Sequence, residues 1–159
     1  MNISLQYAQI TVNDLDESLA FYRDVLGLEV RNDVGSDGQR WVTLGSAAQP
    51  DLELVLSAPH AGRSQDDGDA LQQLLVKGAL PILVFRTDDL DATFEAVRAS
   101  GAEVLQEPIV QPWGPRDCAF RDPSGNMVFN QAWGERRRGR RRGGRSRASC
   151  GGPRPPRPW

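Results

Sequence analysis

Residues able to carry out chemistry are few in this chain of 159 residues, and their scarcity narrows the reading. There is one histidine, His60, in the stretch APHAG, and there are two cysteines, Cys118 and Cys150. Catalytic metal centres gather imidazole, thiolate and carboxylate donors around an open position. A lone loop histidine reads instead as a solvated residue. Cys118 lies in the β-prone run RDCAFR, with no histidine placed to act as its partner. It reads as a small core residue, not a nucleophile. Glu53 lies in DLELVLS, where Leu52, Leu54 and Leu56 alternate with Glu53, Val55 and Ser57. The leucines should face a helix, which puts Glu53 on the other face, where a carboxylate needs a partner or a ligand. Arg40, Arg86 and Arg116 are the candidate partners.

The elements that would position these groups occur twice. LQYAQITV is a short β-prone run, followed by Asp14 with Glu17 three residues later, a capping-box pattern. Leu15, Leu19, Tyr22 and Leu26 then form one helical stripe, and Gly27 is placed to end it. LEVRND, QRWVTLG and DLELVLS follow as strands, the first two joined by the turn-rich VGSDG. The order returns in ALPILVFRT, a helix capped by Asp88 or Asp89 with the stripe Leu90, Phe94 and Val97, a stop at Gly101, and the strands AEVLQ, RDCAFR and NMVFNQ. Asp122-Pro123-Ser124-Gly125 carries type I turn residues. Asp14-Leu15-Asp16 matches Asp89-Leu90-Asp91 and Arg23 matches Arg98; after a one-residue gap, Gly27-Leu28-Glu29-Val30 matches Gly101-Ala102-Glu103-Val104. A match in cap, stripe, stop and following strand points to an internal repeat. The predicted fold is α+β: two tandem βαβββ modules, at about 5–57 and 80–132, whose curved mixed sheets enclose a cavity. The link 58–79 should hold one short helix, roughly Asp69 to Lys77, capped by Asp69.

Charge divides the chain differently. Up to Trp133 there are nine Lys plus Arg and twenty Asp plus Glu; from Gly134 onward there are ten Arg against Glu135 alone. The predicted domain is therefore 1–133, with 134–159 a disordered Arg/Gly/Pro-rich tail, because that segment holds too little apolar surface to offset its ordering entropy. Such an arm could bind nucleic acid through phosphates, lie on the acidic body, or be a solvated appendage; the appendage reading is preferred. No apolar run approaches the ~20 residues needed to span a bilayer. No signal peptide is evident at the N-terminus, and two cysteines make no disulfide framework. A cytoplasmic protein is expected.

SLAFYRDVLGLEV, the later GAEV stop, and FRDPSGNMVFNQ together resemble the vicinal oxygen chelate superfamily, over about Leu5 to Trp133. Its members include glyoxalase I, extradiol dioxygenases and bleomycin-resistance-type binding proteins. The resemblance implies four metal-ligand positions on equivalent strands of the two modules. Here they hold Tyr7, Glu53, Ile82 and Phe129. Ile82 and Phe129 have no donor atoms, and a phenol is a poor ligand for these metals. No metal and no cofactor is expected. If side chains alternate as in the family, Tyr7, Gln9 and Thr11 line the cavity from module one. Ile82, Val84, Arg86, Phe129 and Gln131 line it from module two, unless Ile82, Val84 and Phe129 simply fill core, the reading preferred for Ile82 and Val84. Trp41 and Trp113 supply aromatic walls, and Arg116 a polar contact.

Such a lining is apolar with a few polar groups, as in a binding pocket. The expected function is metal-independent binding of a small organic molecule, cationic or aromatic, by a homodimer, in the manner of drug-sequestering relatives. The acidic body favours a cation. One alternative is a glyoxalase- or dioxygenase-type enzyme with a non-standard site, for which Glu53 as base and Tyr7 as acid are the candidate catalytic residues. Another is nucleic-acid association through the tail.

Overall fold

The computed structural model describes residues 2–132; Trp133 and the tail lie outside them. Strand β1 (Tyr7–Thr11) leads into helix α1 (Leu15–Leu19), which continues as a π-helical turn (Ala20–Val25). Strands β2 (Glu29–Ser36), β3 (Gln39–Ser46) and β4 (Gln49–Ser57) complete module one. Helix α2 (Gln65–Val76) bridges to β5 (Leu83–Thr87), helix α3 (Leu90–Ala99), β6 (Val104–Val110), β7 (Arg116–Arg121) and β8 (Met127–Ala132). The two sheets have equivalent orders, β1-β4-β3-β2 and β5-β8-β7-β6. In each, the first strand pairs parallel with the last, and the remaining pairs are antiparallel.

The helix starts follow from their caps. The Asp14 carboxylate accepts from the Asp16 and Glu17 amides, and that of Asp89 from the Ala92 amide. Helix α2 begins before the predicted Asp69. Ser64 caps it, its hydroxyl oxygen accepting from the Asp67 amide, and Asp66 and Asp67 favour the positive end of the helix. The first hairpin is tighter than predicted: Asp37 and Gly38 both have positive φ, as a two-residue type I′ turn requires, so β2 and β3 run up to it on both sides.

The π turn accounts for the one-residue gap between the repeats. The extra residue of module one is absorbed where the Leu26 N–H donates to the Phe21 carbonyl, five residues back. The wider turn also buries Phe21 beside Tyr22, although Phe21 stands off the predicted α-helical stripe. The two rings meet edge to face at 5.2 Å.

Buried residues of both modules form one core. It contains Leu19, Phe21, Tyr22, Val42, Leu44 and Leu56 from module one, and Leu90, Phe94, Val97, Cys118, Phe120 and Val128 from module two. The modules thus join through their helix-bearing faces. This differs from the expectation that the opposite faces would enclose one cavity. Apolar residues on both helices and on alternate strand positions leave the helix sides as the largest dry surface to bury. The second face of each sheet opens outward. Tyr7 on the first is 51% exposed, and Val84 on the second is 45% exposed.

Candidate functional site

Strand alternation fixes what each second face presents. In module one, Tyr7 lies opposite Glu53 and Gln9 opposite Val55 on the β1–β4 ladder. Trp41 lies opposite Ser57 on β3–β4. The Gln9 side-chain amide donates to the Ser57 hydroxyl at 2.6 Å, and the Tyr7 hydroxyl accepts from Gln6 at 3.1 Å. In module two, Val84 lies opposite Phe129, and Arg86, Gln131 and Asp117 form one row across β5, β8 and β7.

A cavity of about 740 Å³ stands on the module-two face. Ile82, Val84, Met127 and Phe129 make its apolar floor, and Gln131 and Asp117 its polar side. Trp113 forms a wall from the β6–β7 loop. That loop is pinned by the Gln111 N–H donating to the Pro115 carbonyl at 2.8 Å and the Gly114 N–H to the Gln111 carbonyl at 2.9 Å. Every described lining residue belongs to the segment 79–131. A cleft of about 600 Å³ follows the seam between modules, and Glu53 and Arg86 line that one.

Of the predicted site residues, Ile82, Trp113, Phe129 and Gln131 therefore come together in one cavity. Glu53 and Arg86 meet in the seam cleft. Tyr7, Gln9 and Trp41 share the module-one face.

Arg116 does not join any of them. It sits on the helix side of β7, and its guanidinium grips Asp91 in the first turn of α3 at 2.8 and 2.6 Å. Arg40 does the same in module one, bonding Asp16 at 2.8 Å and Asp33 at 2.7 and 2.8 Å. Both arginines proposed as alternatives to Arg86 for pairing with Glu53 are thus engaged elsewhere.

Reasoning from sequence missed Asp117, Gln106, Gln111 and Met127. The signal for Asp117 was present: with Cys118 in the core, strand alternation puts Arg116 on a different face from Asp117. Asp117 is only 5% exposed. Its Oδ1 accepts from the Gln106 amide at 2.8 Å and the Gln111 amide at 2.6 Å.

The metal positions implied by the resemblance fall on two separate faces. Tyr7 and Glu53 are neighbours in module one, while Ile82 and Phe129 line the module-two cavity. Hydrocarbon at two of these positions does not fit a divalent ion. Among the described residues, no three of His, Cys, Asp and Glu group to hold one. His60 is held by Asp69, its Nε2 lying 2.8 Å from Oδ1, and its ring lies against Gly68 of α2. Cys118 is fully buried, and burial raises its thiol pKa to about 11, so it is a poor nucleophile near neutrality.

The sequence profile described as Glyoxalase/Bleomycin resistance protein/Dioxygenase superfamily matches residues 4–128. The chain belongs to this superfamily. A lactoylglutathione lyase of Haemophilus influenzae is 33% identical over 138 residues, covering 79% of this chain and 90% of that protein. The crystal structure of UcmS2 superposes with a TM-score of 0.74 at 32% identity, covering 82% of this chain and 98% of the other. That of TnmS3, an antibiotic binding protein from Streptomyces sp. CB03234, gives 0.64 at 27% identity, covering 83% and 98%. As a member of the glyoxalase/bleomycin resistance superfamily, the chain shares a fold that hosts both binding and catalysis, so function rests on the site. Among the described residues, no helix is long and apolar enough to cross a membrane.

Proposed function

We propose that this protein binds a small organic molecule in the module-two cavity without converting it, and that two copies associate. The observation carrying the reading is the lining itself. Ile82, Phe129 and Met127 offer apolar area, Trp113 a planar wall, and Gln131 and Asp117 orienting polar groups. The donor set at the family's metal positions argues for binding without an ion. The likeness to TnmS3 supports the same reading. Pairing is supported by the half-exposed apolar side chains on the second face of module one, Tyr7 and Val34, which a second copy would cover.

The test is a titration of aromatic and cationic small molecules followed by Trp emission, with stoichiometry and oligomer read by native mass spectrometry. Saturable quenching that is lost in Trp113→Phe is expected. Silence across the panel would sink the reading.

A second reading is favoured by the identity to lactoylglutathione lyase. It would need a Lewis acid near Tyr7 and Glu53. Formation of lactoylglutathione from methylglyoxal and glutathione that appears on adding metal and disappears on chelation would replace the binding role.

A further inference from the structure

We propose that the module-two cavity selects an organic cation, and that Asp117 is the residue that reads the charge; the inference rests on the binding role proposed above. A buried carboxylate is costly unless donors or a cation compensate it. Asp117 has donors but no positive partner among the described residues: Gln106 and Gln111 reach it through neutral amides. Both bond the same oxygen, Oδ1, and among the described residues no hydrogen bond is made to Oδ2. Hydrogen bonds from amides hold the group in place and leave its net charge standing. The Gln111 side-chain amide also donates to Gln106 Oε1 at 3.2 Å, so the two side chains support each other as well as the carboxylate.

The described arginines nearest the site are engaged elsewhere or stand apart from this carboxylate. Arg116, the preceding residue, points to the other face and is bonded to Asp91. Arg121 donates to the Gly125 carbonyl at 2.9 Å and lies 3.7 Å from Glu103. Arg86 stands in the same cross-strand row as Asp117, but Gln131 separates them and Arg86 lines the seam cleft. Among the described residues, the cavity lining contains Asp117 and no Lys, Arg or His. A carboxylate with no positive partner among the described residues, in a cavity with an indole wall, suits a cation carried on an apolar or aromatic body. The charge meets Asp117, and the body lies against Trp113, Phe129 and Ile82. The exposed indole adds cation–π attraction.

The experiment compares a matched pair of probes, 1-methylquinolinium and quinaldine, at mildly alkaline pH where quinaldine is neutral. Their rings are alike in size, so the ratio of their dissociation constants isolates the charge. The wild-type protein should bind the cation roughly tenfold or more tightly than the neutral ring. Asp117→Asn keeps an oxygen acceptor for both glutamines and should bring the ratio close to one. Asp117→Glu should retain the preference. Equal wild-type affinities, or an unchanged ratio in Asp117→Asn, overturn the inference and leave the binding role standing. Binding of neither probe overturns both. Should Asp117→Asn fail to fold, the wild-type ratio and Asp117→Glu still decide: a ratio near one in either overturns the inference.

Discussion

Tyr22 is the side chain on which the joint between the modules turns. It is fully buried, lies 6.3 Å from Phe85 of module two, and its hydroxyl donates to Asp122 Oδ2 at 2.8 Å. Asp122 also receives the Ser124 and Asn126 amides and the Asn126 side chain, so one carboxylate organises both the turn and the contact. Removing one of four donors should cost about 1.5 kcal/mol, the lower range for a hydrogen bond to a charged acceptor. Tyr22→Phe is thus expected to lower the urea-unfolding free energy by about that amount at neutral pH. The alkaline limb gives a second reading. Burial, then the Asp122 charge, then the hydrogen bond to it, raise the Tyr22 phenol well above its ordinary 10.0. The neutral phenol is what the fold favours, so its contribution is complete below 10.0 and is lost as pH rises through the raised value. The gap between the wild-type and Tyr22→Phe stability curves should therefore narrow as pH rises above 10.0; curves that stay parallel there would contradict the assignment.

At the level of elements, each module ties the first turn of its helix to a strand through one arginine: Arg40 to Asp16, and Arg116 to Asp91. These pairs are substantially exposed, so each is worth at most about 1 kcal/mol. Arg116→Gln should lower stability by less than that and leave 1-methylquinolinium affinity within about twofold. A tenfold loss of affinity would return Arg116 to the ligand site. The sequence carried the repeat well, because cap, stripe and stop are local devices written in a few adjacent residues. It carried the shared face of Phe129 and Gln131 as well, because β8 is a regular strand in which alternate residues point the same way. It could not carry the Gln106–Gln111–Asp117 cluster. Residues five apart point to opposite faces of a regular strand, yet both glutamines reach Asp117, because β6 shifts register against β7 between Val104 and Gln106 and again between Gln106 and Ile109. No periodicity reveals an irregularity of that kind. The relative placement of the two modules was also out of reach, since each module has two candidate faces to bury.

For the molecule as a whole, the shared core makes the modules dependent on each other. Polar bonds reinforce the seam: the Asn126 amide donates to the Thr11 carbonyl at 2.9 Å, and the Asn13 N–H to the Ser124 hydroxyl at 2.8 Å. Neither half keeps its dry side when separated. Calorimetry should therefore show one transition for both modules, and Asn126→Ala should lower Tm without splitting it. Two resolved transitions would mean that the modules are independent domains.

The π turn at Ala20–Val25 bears on how the halves came to differ. Duplicated segments drift apart most visibly when one copy changes length, and a helix is normally intolerant of that because every later side chain rotates by ~100°. Here the added peptide unit is accommodated within a single wide loop of the spiral, so the anchoring aspartate upstream and the terminating glycine downstream keep their places. Insertions and deletions of one codon within this stretch should therefore be better tolerated than the same changes in α3, whose ten residues contain no such slack.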